Sequence, residues 1–505
     1  MSRWQLSLVL LGALGCTGTH SDSGTNAPAD AADLDSGIAD IAILAPDQSM
    51  IEDVFVAPLI DVNSNSRDAS RPQDRPCDPR STADTDWDRD GLSDAREQEE
   101  GTSVCHSDSD NDGFIDLAEL MHGSDPWDPD DGLENYLTLP ADPGWLALDV
   151  DLNLRLRQTD MYLVLDNSGS MQGFINALAE NFGRMVELIS RVVPDATYGV
   201  ASFINYSGHG GGNLPFRLLQ QATTDVARVQ ESLDGIRASG GGLHEASLEA
   251  LYQTLTGIGY DQNCNGQYDE GTDVPPFSSH HLDAFGGTAR GTEDEETPGA
   301  GKVGGVGFRS GAYKIIVYAT DEQLLDPDRG DATPGGCPQD AGHNAVVQAA
   351  NSVGVKLIGV SASYRAQGDE VQRAQMERLA VDTNSVLDLG DGVERPLVLS
   401  TNEGDLVQLL LDRVARLLGA VRFERVNAAV VSDPLMVTRS FAPPTLGPIE
   451  PADFGRPHSF RLELDAIGKM EDAWQVTTVG VQLTADDGVD LAYQQYIVAI
   501  PPLPL

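Results

Sequence analysis

The longest apolar runs lie in the middle of the chain, and two of them end in an acid. "MYLVLD" runs into Asp166 and "YKIIVYATD" into Asp321. Each is the continuous apolar stretch that a parallel strand needs when both its faces are covered. "ATYGVASFINY", "LPFRLLQ" and "KLIGVSAS" read as further strands. Between and after them the period changes: "FINALAENFGRMVELISRVV", "VARVQESLDGI", "EASLEALYQTLTGI", "NAVVQAANSVGV", "EVQRAQMERLAV" and "GDLVQLLLDRVARLLGA" set apolar residues at helical spacing. This alternation predicts an α/β doubly wound, mostly parallel sheet with helices on both faces. Ligands of such sheets bind beyond the carboxyl ends of the strands, where Asp166 and Asp321 fall.

Other stretches follow different patterns. From residue 421 to 505, apolar and polar residues alternate between Pro and Gly breaks ("HSFRLELDAI", "WQVTTVGVQLTA"), predicting a small all-β, sandwich-like domain. Residues 17–76 have no Lys, Trp or Tyr and abound in Asp, Ala, Ser and Pro. Such a segment buries too little apolar surface to offset its ordering entropy, and predicts a disordered tether. The chain begins "MSRWQLSLVLLGALGC": one arginine, an apolar run too short to span a bilayer, then small residues. That is a secretory signal over 1–15. Its "ALGC" ending resembles a bacterial lipobox, which implies a lipidated Cys16, with an ordinary signal peptide as the alternative. Thr17 follows instead of the aspartate of inner-membrane retention, which implies the outer membrane or cell surface.

The acids then become informative. Against 32 basic residues stand 79 acidic ones, a net charge of −47, which excludes a nucleic-acid partner. Many acids fall in an internal repeat over 77–135. Asp86, Asp88, Asp90, Asp94 and Glu97 recur as Asp108, Asp110, Asp112, Asp116 and Glu119, with Gly91 and Gly113 at the sixth position; Asp130 begins a truncated third copy. These offsets belong to a Ca²⁺ loop, which turns alternate side chains onto a hard cation and needs glycine at its sharpest bend. Pro79 and its polar neighbours leave no entering helix, so this is no EF-hand pair. The repeat resembles thrombospondin type 3 repeats, calcium-dependent spacers of surface proteins. In a further loop, "YDQNCNGQYDEGTD", Asp261, Asn263, Asn265 and Asp269 keep the calcium offsets. It resembles the D-x-N-C-N-G repeats of some bacterial secreted proteins, and it opens an insertion spanning 260–312.

The central site has its own chemistry. "DNSGS" sets Asp166, Ser168 and Ser170 at alternate positions after a buried strand. The sequence is the Asp-x-Ser-x-Ser signature of a von Willebrand factor A (integrin I-like) domain, and the resemblance covers roughly 157–420, within a domain drawn at 136–420. It implies a metal-ion-dependent adhesion site holding Mg²⁺ or Mn²⁺. Ser168 and Ser170 would ligate directly, Asp166 would bind directly or through water, and Asp321 would come from the third loop. The second loop, "SGGGLHEASLEAL", lacks the usual threonine and resembles the integrin β form, which points to Glu245, or failing that Ser239. Hydroxyls and carboxylates are hard ligands, suited to these ions and not to zinc or copper. Neutral serines leave the ion electron-poor and able to accept a partner's carboxylate. The bland alternative is a serine helix cap.

No enzyme constellation survives the same reading. Ser168 stands where a phosphotransferase of the haloacid dehalogenase type needs aspartate, "HEASL" lacks the second zinc histidine, and "DNSGS" is no nucleophile elbow. With Cys16 lipidated, Cys77, Cys105, Cys264 and Cys337 form an even set suited to an oxidising compartment. Proximity favours Cys77 with Cys105 and Cys264 with Cys337, although three pairings are open. The expectation is an exported, lipid-anchored, non-enzymatic surface protein that binds a protein or other macromolecule through a bridging metal. The alternatives are a structural calcium-binding envelope protein and an accessory subunit presenting substrate to a separate enzyme.

Overall fold

The computed structural model describes residues 76–503, apart from 142–144, 210–213, 243, 270, 278–302, 363–365, 389–390, 401–404 and 467–469. The signal segment, Cys16 and the tether up to residue 75 lie outside the described residues, as does the middle of the 260–312 insertion.

Two short helices follow the two acid loops, α1 (Asp94–Glu100) and α2 (Asp116–His122). Ser93 caps α1 by accepting the Arg96 N–H, and both helices stop at a left-handed glycine, Gly101 and Gly123. Among the described residues no helix precedes the first loop, and residues 101–107 separate α1 from the second.

Two strands come next, β1 (Tyr136–Thr138) and β2 (Trp145–Asn153). The central unit then alternates β3 (Gln158–Asp166), α3 (Gln172–Ser190), β4 (Asp195–Phe203), β5 (Arg217–Thr223), α4 (Val226–Gly235), β6 (His244–Glu245) and α5 (Ser247–Thr256). It continues with β7 (Tyr313–Thr320), β8 (Gln323–Leu324), α6 (His343–Val353), β9 (Val355–Ser361), α7 (Ala366–Asp382), β10 (Val386–Asp388), β11 (Glu394–Pro396), β12 (Val398–Ser400) and α8 (Leu406–Gly419). Its main sheet has the order β12-β9-β7-β3-β4-β5, with only β5 antiparallel to its neighbour. From β3 the chain winds one way through β4 and β5, and the other way through β7, β9 and β12. The winding reverses between β3 and β7, the position at which such sheets open a crevice.

Every residue of β3 and β7 is buried, as their unbroken apolar runs require. Met161, Leu163 and Leu165 join the core that contains residues of α3, α4 and α8, while Tyr162 and Val164 join the core of α5, α6 and α7. Consecutive side chains of one strand thus seal the helices on opposite faces.

The C-terminal β unit comprises β13 (Val426–Ser432), β14 (Thr438–Ala442), β15 (Thr445–Leu446), β16 (Pro457–Asp465), β17 (Gln475–Ala485) and β18 (Asp490–Ile500). Two sheets form, β1-β18-β17-β13-β15 and β14-β16-β2. Phe460 and Leu462 of one share an apolar core with Val479 and Val481 of the other.

This corrects the boundary at 136. β1 pairs in parallel with β18, Leu137 opposite Val498, and β2 runs antiparallel along the whole of β16, Val150 opposite Phe460. Residues 136–153 therefore belong to the β unit, which the central unit interrupts. The physical reason is that β2 is an edge strand whose hydrogen-bonded partner, β16, lies far along the chain.

Candidate functional site

Three chain segments meet at the carboxyl ends of β3 and β7. Asp166 ends β3 and is fully buried; its Oδ1 accepts the Ser168 N–H at 2.7 Å and its Oδ2 accepts the Thr320 hydroxyl at 2.6 Å. Ser168 Oγ lies 3.4 Å from Ser170 Oγ and donates to Asp321 Oδ1 at 3.5 Å. Ser168 is buried, Asp321 half-buried and Ser170 exposed, so the cluster opens to solvent on the Ser170 side.

The loop before α5 closes the group from above. Gly169 donates to the Gly240 carbonyl at 3.1 Å and Ser239 to the Asn167 carbonyl at 3.0 Å. A methyl group added at Gly241 would stand 2.6 Å from Ser168 Cβ and 3.2 Å from Glu245 Oε1, so only glycine lets this loop reach the serine. Glu245 is held by strand pairing of β6 with β8, in which it faces Leu324. It is fully buried; Oε1 accepts the Gly242 N–H at 2.6 Å, and Oε2 has no partner.

Burial pushes the Glu245 carboxyl up to about 8, against the Gly242 hydrogen bond, with Asp166, Glu322 and Asp321 adding repulsion. Asp166 is pushed up to about 6, again mainly by burial, although Thr320 and Ser168 stabilise its charge. A cation among them would reverse both shifts. The structure brings Asp166, Ser168, Ser170 and Asp321 together through Ser168. Gly241 links Glu245 to them by lying against both Glu245 and Ser168, and Ser239 contributes a backbone brace. Among the described residues, the acid groups with carboxylate oxygens within 4.8 Å of one another lie in the repeats, not here.

In the first repeat loop, Asp86, Asp88 and Asp90 each spend one oxygen on the loop itself. They accept the N–H groups of Gly91 at 3.0 Å, Asp90 at 3.3 Å and Leu92 at 2.6 Å. Their other oxygens, with both oxygens of Glu97, are buried and unpartnered. Burial first, then mutual repulsion, raises Asp88 to about 7, Asp90 to about 9 and Glu97 to about 8. The donor set fits Ca²⁺: hard oxygens, buried, unsatisfied and converging.

The second loop repeats the design. Asp108 accepts the Gly113 N–H at 2.9 Å, and Asp110 Oδ2, Asp112 Oδ2 and Glu119 Oε2 are left unpartnered. The spacing counts Asp94 and Asp116 as ligands, and in the structure their oxygens also brace the loops. Asp94 accepts Thr85 Oγ1 at 2.8 Å and Trp87 N at 3.0 Å, and Asp116 accepts Ser109 N at 2.8 Å and Ser109 Oγ at 2.7 Å. Asp116 also comes within 4.8 Å of Asp90 and Glu97.

The third loop is less open to a cation. Asp261 accepts Asn263 N at 3.2 Å and Gly266 N at 2.7 Å, Asn263 accepts Asn265 N and Asn265 accepts Gln267 N. Asp269 offers its N–H to Asp273 at 2.7 Å. Asp273, buried and also bonded to Gln262 N, closes this loop as Asp94 closes the first. The offsets did not single it out, because it stands one place beyond the twelve that a calcium loop counts. Thr320 was missed too; its only sequence signal is its place before Asp321.

Residues 108–129 match the bacterial TSP3 repeat model. The second loop is thus a calcium-repeat loop, and the first shares its pattern position by position. No curated protein matches the chain. Among solved structures, the chain is similar to the pilus adhesin SpaC from Lactobacillus rhamnosus GG, in its open conformation, at 12% identity and a TM-score of 0.31. That alignment covers 70% of this chain and 45% of the adhesin, so the chain matches less than half of it. Proximal thread matrix protein 1 from the mussel byssus matches at 14% identity and a TM-score of 0.26, over 54% of this chain and 51% of that one.

Disulfides Cys77–Cys105 and Cys264–Cys337 are both formed, as an oxidising compartment permits. The first ties the segment before the TSP3-like loops to the link between them, and the second fixes the 261–273 loop. No described helix is long and apolar enough to cross a membrane.

Proposed function

We propose that the protein is an exported, calcium-stabilised surface protein that binds a macromolecular partner through a metal held at the β3–β7 crevice. The observation carrying this reading is Glu245 Oε2, a fully buried carboxylate oxygen without a partner, on the loop whose Gly241 lies against Ser168. Burying a charge in that way is costly unless a cation meets it. The "DNSGS" motif at the switch point of a doubly wound sheet supports a von Willebrand factor A-like unit. In it Ser168 and Ser170 hold Mg²⁺ or Mn²⁺, Asp321 and Glu245 complete the shell, and Asp166, with both oxygens engaged, orients the serines or a bound water. The metal would supply one open, electron-poor position facing the exposed side of Ser170, for a carboxylate on the partner. The chain is read as a binder and not an enzyme, anchored through a lipid on Cys16.

Titration calorimetry of the wild type beside Ser168→Ala/Ser170→Ala tests this. Loss of one Mg²⁺-competent site with the calcium sites retained supports it, and identical stoichiometry in the two proteins sinks it. A second reading has the metal only maintaining the fold. The full burial of both Asp166 and Glu245 favours that version. Loss of the folded state, read by circular dichroism, when Ser168→Ala/Ser170→Ala removes the metal would support that version.

A further inference from the structure

The first acid loop is fastened to the C-terminal β unit at its own tip. Arg89 sits between the candidate ligands Asp88 and Asp90 with a left-handed backbone, φ +69°. Its Nε donates to the Asp472 carbonyl and its Nη2 to the Leu503 carbonyl at 3.0 Å, while its carbonyl accepts the Trp474 N–H at 2.8 Å. Two residues on, a methyl group at Gly91 would meet the Trp474 carbonyl at 2.9 Å. The equivalent residue of the second loop, Asn111, is also left-handed, but it is exposed and turns its N–H back to Asp108. The second repeat contacts the β unit differently, through Ile115 and Ala118 packed on Ile497 and Ala499.

In the wrapped loop the left-handed backbone of Arg89 aims its carbonyl at the Trp474 N–H. A wrapped loop without a cation holds buried, mutually repelling oxygens of Asp86, Asp88, Asp90 and Glu97. We propose that the first loop is a calcium-operated clasp: cation binding fixes Arg89 on the carbonyls of 472 and 503, and cation loss releases that tip from the β unit. By linkage, the clasp in turn tightens calcium binding. The repeats are then a switchable intramolecular joint, not a passive spacer. This inference is independent of the adhesion-site reading.

The test is hydrogen exchange on the full chain, with calcium and with chelator, following the Trp474 amide, whose acceptor is the Arg89 carbonyl. Strand β3 is the internal control. At calcium 100 times its Kd, binding protects by up to about 100-fold, so chelation accelerates Trp474 exchange by up to that factor and leaves β3 unchanged. Glu97→Gln removes a ligand and loosens Trp474 even with calcium present. Arg89→Gly, which keeps the left-handed backbone and loses the guanidinium, loosens Trp474 and weakens calcium binding. Trp474 exchange indifferent to calcium in the wild type overturns the clasp. Equal acceleration in β3 overturns it as well, because the opening would then be global.

Discussion

The Ser168 hydroxyl reaches the Asp321 carboxylate at 3.5 Å, joining the ends of β3 and β7 across 153 residues of sequence. The contact spans the strands between which the sheet reverses its winding, so the motif and the topology place the candidate site at one point.

Calcium removal should make stability fall as pH rises. In the cation-free protein Asp88, Asp90 and Glu97 titrate near 7, 9 and 8, against ordinary values of 3.8 for Asp and 4.5 for Glu. The folded state then holds more protons than the unfolded one between those limits. Stability is fully present below about pH 4 and is lost as pH climbs through 7 to 9. In chelator, Tm should therefore be lower at pH 8 than at pH 5, and saturating calcium should abolish that fall. A Tm that rises with pH in chelator contradicts the assignment.

Gly91 and Gly113 hold the same place in the two loops, with φ of +97° and +105°, yet only Gly91 is crowded. An alanine in either loop costs about 1–2 kcal/mol for the left-handed backbone. At Gly91 it also meets Leu117 Cδ2 at 2.7 Å and the Trp474 carbonyl at 2.9 Å, worth about 1–3 kcal/mol more. Urea unfolding in calcium should rank Gly91→Ala well below Gly113→Ala.

Arg309 bridges the strand starts at the end of the sheet away from the site. It meets the fully buried Asp160 at 2.8 Å and Asp195 at 2.5 Å. Arg309→Ala removes the ion pair of buried Asp160, leaving it the Thr197 hydroxyl, the 309 N–H and the Lys314 charge, and should cost up to about 3–5 kcal/mol. The metal stoichiometry, measured below the new Tm, should stay that of the wild type.

Legibility in the sequence followed the range of the interactions. The β3 and β7 runs, the amphipathic helices and the acid offsets are local patterns, and they appear where the residues predict them. Cys77–Cys105 was legible because its partners are neighbours in the chain. The membership of β2 was not, since its hydrogen bonds go to β16, some three hundred residues away. Nor was Arg309, which lies in an apparent insertion and becomes structural only when Asp160 is folded beside it. The hydrogen bonds that Asp94 and Asp116 also accept were hidden for a related reason: spacing identifies an acid but not which donors reach its oxygens.

A cation at the β3–β7 crevice would show in anomalous diffraction from Mn²⁺-soaked crystals. The expected peak lies within ligand distance, about 2–2.6 Å, of the Ser168 and Ser170 hydroxyls, with Glu245 turned towards it. Peaks confined to the repeat loops, with the crevice holding only water, would contradict it.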